Sequence, residues 1–286
     1  MRHGFLLINK PKGPTSHDVV QTVRTILHER NIGHLGTLDP AASGLLVLAV
    51  GAKALKVIEL FQGLQKEYCA HVHFGAISST YDAEGTIEEI LPHLGWSKPD
   101  LLNVQRLIAT RFHGVIEQTP PAYSAIKIAG VRAYHRARQG VAITPTARRV
   151  DIQTCAVEEY AYPLLTLRVC CSAGTYIRSL AHDLGQVLRC GGYLENLRRT
   201  RVGEWLLEKA LAPESVQWTD VMPLKGILHT FPRIELTATE GEDLRHGRNI
   251  PHEIRPNTIG WFDGLPVVIL TPAKDGSRLA HPRKVL

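Results

Sequence analysis

The sequence predicts an α+β fold, because spacing typical of strands and spacing typical of helices both occur without regular alternation. Residues 43–51 form an apolar run that is long enough for a buried strand and is bounded by glycines. Residues 66–74 and 164–172 alternate apolar and polar positions, as half-buried strands do. Since no regular βαβ repeat is found, an α+β fold is favoured over a doubly wound sheet.

The predicted elements are, in order along the chain, strands at 5–9, 43–51, 66–74 and 164–172, and helices at 15–27, 54–61, 100–110 and 176–188. The first helix starts near Thr15, because Asp18 follows this hydroxyl in the pattern of a capping box. Gly174 permits a sharp turn from the last strand into the last helix. Beyond residues 213–232, short apolar runs separated by Asp-Gly pairs predict a small β unit.

The composition indicates a globular enzyme with one large and one small domain. The chain has 286 residues, of which 44% are hydrophobic and 21% are charged. We expect a first domain at 1–230 and a second at 231–286. No apolar run approaches membrane-spanning length, the N-terminus lacks a secretory pattern, and the five cysteines contain no CxxC pair. These features predict a cytoplasmic protein with reduced thiols and no membrane partner.

A basic segment spans residues 119–150, in which no aspartate or glutamate occurs. Its six cations equal the formal net charge of +6 of the whole chain: Lys127, Arg132, Arg136, Arg138, Arg148 and Arg149. Tyr123 and Tyr134 are interleaved among them. Cations together with flat side chains suit a polyanion with exposed bases, so the segment predicts RNA binding. The alternative is an exposed, solvated face.

Asp39 is the first candidate for a reacting group. The proline at position 40 fixes its own φ and favours extended backbone at Asp39, which therefore lies in a stiff loop beside the predicted strand at 43–51. A carboxylate held in this way could react in a single pose. The alternative is that Asp39 only caps a turn.

Several motifs together resemble the TruB family of tRNA pseudouridine synthases. They are HLGTLDPAASGLL at 34–46, KEY at 66–68, PPAYSAIK at 120–127, CSAGTYIR at 171–178 and LRRT at 197–200. The resemblance runs from residue 7 to about residue 205. It implies a pseudouridine synthase fold with a mixed, mainly antiparallel sheet flanked by helices and loops, and a small β-rich, PUA-like C-terminal domain. It also implies conversion of uridine-55 to pseudouridine in the T loop of tRNA.

The resemblance assigns roles to individual residues. Asp39 is the nucleophile or base, Arg178 is its ion-pair partner, and the Tyr68 ring packs on the target base. A guanidinium suits the role of ion-pair partner, because it keeps a buried carboxylate ionised. The substrate-binding residues are His34, which helps displace the nucleotide, Leu197 as a pocket wall, Tyr123, Lys127, Arg132, Arg136 and Arg138 in a thumb loop over the T arm, and Arg198 and Arg199 facing phosphate.

The same resemblance assigns a structural role to residues 10–16. We expect tRNA as the partner, and a monomer without an obligate protein partner. The isomerisation breaks a C–N bond and forms a C–C bond without oxidation or reduction, so we expect no cofactor and no metal. The target base must leave its stack to reach Asp39, at a cost of a few kcal/mol that pocket contacts offset.

Other interpretations remain open at this stage. A non-catalytic RNA-binding protein or tRNA-folding chaperone could keep the same fold, and a related synthase could act only within a larger ribonucleoprotein. Cys69, His71 and His73 share one face of a strand and could bind a metal, although a fourth ligand is not evident. Asp82, Glu84, Glu88 and Glu89 could pose as a carboxylate cluster for glycoside hydrolysis, but a solvated loop is expected there.

Overall fold

The computed structural model describes residues 3–91, 93–123, 145–274 and 277–286, together with the backbone of 127–128 and 131–132. The helices of the described residues are α1 Ser16–Leu27, α2 Ala52–Val57, α3 Leu101–Arg111, α4 Ile177–Val187, α5 Leu224–Ile227 and α6 Ala238–Arg245. The strands are β1 Gly4–Lys10, β2 Ile32–Leu35, β3 Ala42–Val50, β4 Lys66–Phe74, β5 Ala76–Ser78, β6 Ile87–Glu89, β7 Gly114–Gln118, β8 Lys127–Ile128, β9 Val131–Arg132, β10 Arg148–Ala161, β11 Leu164–Cys171, β12 Gly192–Val202, β13 Trp205–Leu206, β14 Met222–Pro223, β15 Arg233–Glu235, β16 Thr258–Phe262, β17 Leu265–Pro272 and β18 Ala280–Val285. Short 3-10 helices lie at Ile58–Phe61, Leu207–Lys209, Pro213–Ser215, Trp218–Asp220 and Leu228–Thr230.

A large sheet forms the body of the protein. Within the described residues it has ten strands in the order β14-β1-β3-β12-β4-β11-β10-β7, with β13 beside β12 and β2 beside β3. The β3–β12 pair is parallel, and the other pairs of this sheet are antiparallel. The prediction of a mixed, mainly antiparallel sheet in an α+β fold is therefore confirmed.

Strand β3 is buried on both faces, which explains its continuous apolar run. Leu45 and Val47 pack on one side in a cluster with Phe5. Leu46 and Leu48 pack on the other side, against the apolar face of α1. The Asp39 loop thus leads directly into a strand that is buried along almost its whole length.

Most predicted elements agree with the structure to within two residues. Thr15 is the N-cap of α1, and the capping box with Asp18 is present. The predicted helix at 54–61 is split into α2 and a 3-10 turn. The sequence did not predict β10 and β12. These strands lack a clear apolar alternation, and the polar residues of β12 include the buried Arg199.

The C-terminal residues form the predicted β unit. Strands β15 to β18 make a four-stranded sheet that packs around its own apolar cluster with α6. Trp261 and Ile269 of this sheet also belong to the cluster of Phe5 in the body. Glu59 pairs with Arg283 at 2.7 Å and with Lys284 at 2.8 Å, so ion pairs hold the last strand to the body as well. The division at residue 230 and the PUA-like character stay predictions.

Among the helices of the described residues, none combines the length and the apolar character needed to cross a membrane.

Candidate active site

The Asp39 loop lies between β2 and β3 and is fixed on both sides of the aspartate. The Ser16 hydroxyl donates to the carbonyl of Leu38 at 2.9 Å and accepts from the Leu38 N–H at 2.9 Å. The Lys10 ammonium donates to the carbonyl of Ala42 at 2.7 Å and to that of Pro40 at 3.4 Å. The Asp39 side chain is 41% exposed. A rigid backbone therefore presents an accessible carboxylate.

Lys10 is a buried cation below this loop. Its side chain is fully buried, and its ammonium also donates to the carbonyl of Pro11 at 2.9 Å. Burial lowers the pKa of Lys10 to about 8, although the charge of Asp39 opposes this shift. The structure gives Lys10 a supporting position in the loop, which agrees with the structural role expected for residues 10–16.

Arg178 lies in the first turn of α4, directly after a turn at Gly174. Gly174 adopts φ +90°, which an L residue rarely adopts, so the predicted sharp turn into this helix is present. The guanidinium Nη2 lies 3.0 Å from Asp39 Oδ2, and Nη1 lies 3.4 Å from Asp82 Oδ2. Nη1 also donates to the carbonyl of Thr80 at 3.3 Å, and Nη2 donates to that of Tyr123 at 3.0 Å. Arg178 thus connects three loops around one buried charge.

Asp82 is a residue that the sequence reasoning misjudged. We expected it to be solvated together with Glu84, Glu88 and Glu89, and those three are exposed. Asp82 is buried, because it faces Arg178 and accepts from the Thr80 hydroxyl at 2.5 Å and the Glu84 N–H at 3.1 Å. Four acids close together look alike in the sequence, and only the contact with distant Arg178 distinguishes this one.

Tyr68 and Leu197 lie on neighbouring strands beside this ion network. Tyr68 is half-buried on β4, and both side chains pack on the apolar cluster below α4. Burial raises the pKa of the Tyr68 hydroxyl, while the Arg199 guanidinium that bonds it opposes the shift. The charge of Asp39 also acts on this hydroxyl. The phenol is therefore neutral at physiological pH.

Arg199 does not face solvent, so its assignment as a phosphate contact is wrong for this structure. Its side chain is 1% exposed. Nε donates to the carbonyl of Leu45 at 2.7 Å, and Nη2 donates to that of Gly36 at 3.0 Å. Successive side chains of a strand point to opposite faces, so the neighbouring Arg198 is exposed and stays a candidate for phosphate contact.

His34 lies on β2, close to the Asp39 loop. It is half-buried, and its Nδ1 has no hydrogen-bond partner within the described residues. Burial lowers the pKa of its imidazole, and the charge of Arg199 adds to the shift. The imidazole is therefore neutral at pH 7, and its role in displacing a nucleotide stays a prediction.

The basic segment begins with a tight connection to α4. The side chain of Gln118 donates to the carbonyl of Tyr176 at 2.9 Å and accepts from its N–H at 2.7 Å. Ser179 donates to the carbonyl of Thr119 at 2.7 Å. Together with the Tyr123 carbonyl on Arg178, these bonds attach residues 118–123 to the start of α4. The sequence offered no signal for Gln118.

Of the residues predicted to lie in the thumb loop, the structure describes the side chain of Tyr123 but not those of the four cations. The backbone of Lys127 pairs with that of Arg132 in the β8–β9 hairpin. The side chains of these two residues, and Arg136 and Arg138 entirely, lie outside the described residues. The predicted roles of these four residues and of Tyr123 stay predictions.

The alternative metal site does not converge in the structure. Cys69 Sγ and His71 Nε2 lie 3.8 Å apart, but His73 stacks on Tyr193 with ring centroids at 5.2 Å. In the part of the chain that the structure describes, no group of three or more His, Cys, Asp or Glu residues could hold a metal ion.

Comparison with family models supports the interpretation of these motifs. The model of the N-terminal domain of TruB family pseudouridylate synthases matches residues 24–177. The model of the tRNA pseudouridylate synthase B C-terminal domain matches residues 178–222. The two matches meet inside α4, immediately before Arg178.

Curated relatives match nearly the whole chain. A protein of Thermobifida fusca named tRNA pseudouridine synthase B is 39% identical over 290 residues, which cover 97% of each chain. Proteins of the same name from Ralstonia nicotianae and Heliobacterium modesticaldum are 39% identical over 265 residues and 38% identical over 300 residues. These alignments cover 88% and 99% of this chain, and 82% and 95% of the relatives.

Solved structures share the fold. A chain in the crystal structure of a Cbf5-Nop10-Gar1 complex matches with a TM-score of 0.69 at 24% identity, over 94% of this chain and 78% of that one. A chain in the structure of an H/ACA RNP bound to a substrate RNA containing 2'-deoxyuridine matches with the same TM-score at 21% identity, over 99% and 84%. From the family models, the relatives and this fold together, we conclude that the chain belongs to the TruB family of pseudouridylate synthases.

Proposed function

We propose that this protein converts uridine to pseudouridine at position 55 in the T loop of tRNA, with Asp39 as the nucleophile or general base. The observation that carries the proposal is the Asp39–Arg178 ion pair at 3.0 Å, in which the arginine is buried and the aspartate is accessible. The relatives named tRNA pseudouridine synthase B support tRNA as the substrate. The basic segment at 119–150 supports capture of the RNA by the protein alone.

The two oxygens of Asp39 have different surroundings, which supports a separate task for each. Oδ2 contacts Arg178, which fixes the orientation of the carboxylate. Within the described residues, no hydrogen bond or ion pair is made by Oδ1, so this oxygen is available to the substrate. It either attacks the ribose or removes a proton there, and the C–N glycosidic bond then breaks.

The detached uracil must turn and re-form its bond without leaving the site. Tyr68 offers a flat wall and Leu197 an apolar wall beside Asp39. The raised pKa of Tyr68 keeps its hydroxyl protonated, so the ring serves as a neutral stacking surface. The base then bonds through C5 to C1′ of the ribose; on the first route this breaks the bond between C1′ and Asp39, and on the second Asp39 returns the proton to the ribose. The C5 proton passes to water, and N1 takes up a proton. No electrons are gained or lost overall.

We further propose that the protein acts in the cytoplasm as a monomer. Its five cysteines are all free thiols, as a reducing compartment favours. The C-terminal β unit would add a second contact with the RNA.

The proposal is tested with purified protein and unmodified tRNA that carries tritium at uridine C5, because conversion releases the label. We expect release by the wild-type protein alone. Asp39→Asn keeps the shape but replaces the carboxylate by an amide that is neither a nucleophile nor a base, so release should fall at least about 10⁴-fold while tRNA binding persists.

Two outcomes would contradict this proposal. If Asp39→Asn kept a tenth or more of the wild-type rate, Asp39 would not be the reacting group. If the wild-type protein bound tRNA without releasing tritium, the alternatives of an RNA chaperone or of a synthase that needs other proteins would be favoured.

A further inference from the structure

A short loop segment, Thr80–Asp82, supplies half of the contacts of Arg178. The carbonyl of Thr80 and the carboxylate of Asp82 both face Nη1, at 3.3 Å and 3.4 Å. Tyr81, between them, has φ +65°, a left-handed conformation that is uncommon for a bulky residue. This conformation directs the groups on either side of Tyr81 to the same guanidinium. Surrounding contacts must therefore hold Tyr81 in a conformation that costs free energy.

The backbone contacts of Tyr81 account for part of this restraint. Its carbonyl accepts from the N–H of Leu194 at 2.9 Å, and the N–H of Ala83 donates to the carbonyl of Leu194 at 3.1 Å. These bonds attach the segment to β12 on one side. They do not fix the direction of the Tyr81 side chain.

The Tyr81 ring is held by α4, the helix that also carries Arg178. It stacks on the imidazole of His182 with ring centroids 3.9 Å apart and planes inclined by 9°. His182 follows Arg178 by four residues, so the two side chains lie on the same face of the helix. Burial lowers the pKa of His182 and raises that of Tyr81, so both rings are neutral at pH 7. Helix α4 therefore contacts the segment twice, through an ion network and through an aromatic pair.

We propose that Tyr81 and His182 are positioning residues for the isomerisation, a role that rests on the proposed function. Their stack keeps residue 81 in the left-handed conformation. Asp82 and the Thr80 carbonyl then hold Nη1 of Arg178, and Nη2 remains directed at Asp39. Neither ring contacts the Asp39 carboxylate, so both act through Arg178.

At each position, one variant keeps an aromatic ring and one removes it, so the experiment separates the effect of losing the stack from other effects of a substitution. Tyr81→Phe keeps the ring, while Tyr81→Asn removes it and still tolerates positive φ. His182→Phe keeps a flat partner, while His182→Ala removes it. For each variant and for the double variant Tyr81→Asn/His182→Ala, we would measure kcat and KM by tritium release, the Kd for tRNA and the midpoint of thermal unfolding.

We expect kcat to fall about 3- to 10-fold in Tyr81→Asn and in His182→Ala, the size of one aromatic pair, with KM and Kd unchanged. The two phenylalanine variants should keep wild-type kcat. The double variant should be no slower than the slower single variant, because one stack is lost in each case. As a matched control, His73→Ala removes the His73–Tyr193 stack on the opposite sheet face from Tyr68 and should leave kcat unchanged.

The proposal is overturned if Tyr81→Asn and His182→Ala keep wild-type kcat, if the phenylalanine variants are as slow as the others, or if the effects of the single variants multiply. An equal fall in His73→Ala would also overturn it, since any lost stack would then slow the enzyme. A wild-type protein that releases no tritium contradicts the proposed function instead, which distinguishes the two failures.

Discussion

Two buried guanidinium groups contact the loop that carries Asp39, one from the start of α4 and one from the middle of β12. Arg178 meets two carboxylates, those of Asp39 and Asp82. Arg199 instead donates to two backbone carbonyls at this loop, those of Leu45 and Gly36. Both side chains are almost inaccessible to solvent. The two regions therefore differ in the charge of the groups that surround a similar cation.

This difference indicates two uses of a buried arginine. The charge of Arg178 is balanced by carboxylates, one of which is accessible to solvent. The charge of Arg199 is not balanced by its carbonyl acceptors, so it acts on its neighbours and adds to the burial that lowers the pKa values of His34 and Lys66. Arg199 holds two strands and a loop together, while Arg178 orients the carboxylate that we propose as the reacting group.

The largest expected effect is on turnover, when Arg178 is replaced. Arg178→Lys keeps the charge but loses the planar fork that reaches both carboxylates. We expect kcat to fall about 10²- to 10³-fold. The free energy of unfolding should change little, because the lysine ammonium still balances the buried carboxylate of Asp82. Tritium release and urea denaturation measure the two quantities.

The matched control is Arg168→Lys, which changes an exposed arginine paired with Glu158 at 3.2 Å. Its turnover and stability should match those of the wild type. Wild-type turnover in Arg178→Lys would show that the fork is not needed. Unfolding of this variant would instead place Arg178 in the same class as Arg199.

The second effect is on stability, when Arg199 is replaced. Arg199→Lys leaves at least one buried carbonyl without its donor, so we expect the free energy of unfolding to fall by about 2–4 kcal/mol. Urea denaturation measures the loss. Arg198→Lys, one residue away and exposed, should change stability by less than about 0.5 kcal/mol. If Arg199→Lys and Arg198→Lys were equally stable, Arg199 would have no special structural role, and the distinction drawn between Arg178 and Arg199 would be wrong.

These two neighbouring arginines also show where prediction from sequence ends. The buried strand β3, the turn at Gly174 and the pairing of Asp39 with Arg178 could be predicted, because each has a local pattern or belongs to a recognised motif. Arg198 and Arg199 carry the same side chain, and only the pairing of β12 decides which one is buried. A Cβ on Gly44 would lie 2.3 Å from the carbonyl oxygen of Arg199. The close approach of β3 and β12 therefore depends on a glycine that is far from Arg199 in the sequence.

The smallest effect concerns Lys10, a buried cation that can lose its proton as Arg199 cannot. Its pKa of about 8 in the folded protein lies below its ordinary value of 10.5. Burial penalises the charged form, so this penalty is complete below pH 8 and disappears as the pH rises to 10.5. Relative to Lys10→Met, the wild-type protein should gain about 1–3 kcal/mol of stability between these values.

Denaturation of both proteins in urea at pH 7 to 10.5 measures this gain. Lys66, whose pKa burial also lowers to about 8, is present in both proteins and cancels in the difference. A difference that does not change with pH would show that Lys10 is charged and fully compensated throughout this range.

The position of Arg178 in the chain has a consequence for how relatives of this protein can exchange parts. The two matched family models meet between residues 177 and 178, in the first turn of α4. Arg178 bonds the carbonyls of Thr80 and Tyr123, which precede it by 98 and 55 residues. A recombination at this boundary would therefore bring the arginine from one parent and both of its carboxylate partners from the other. Such an exchange would divide a single ion network between two parents, so we expect the two segments to function only as a matched pair.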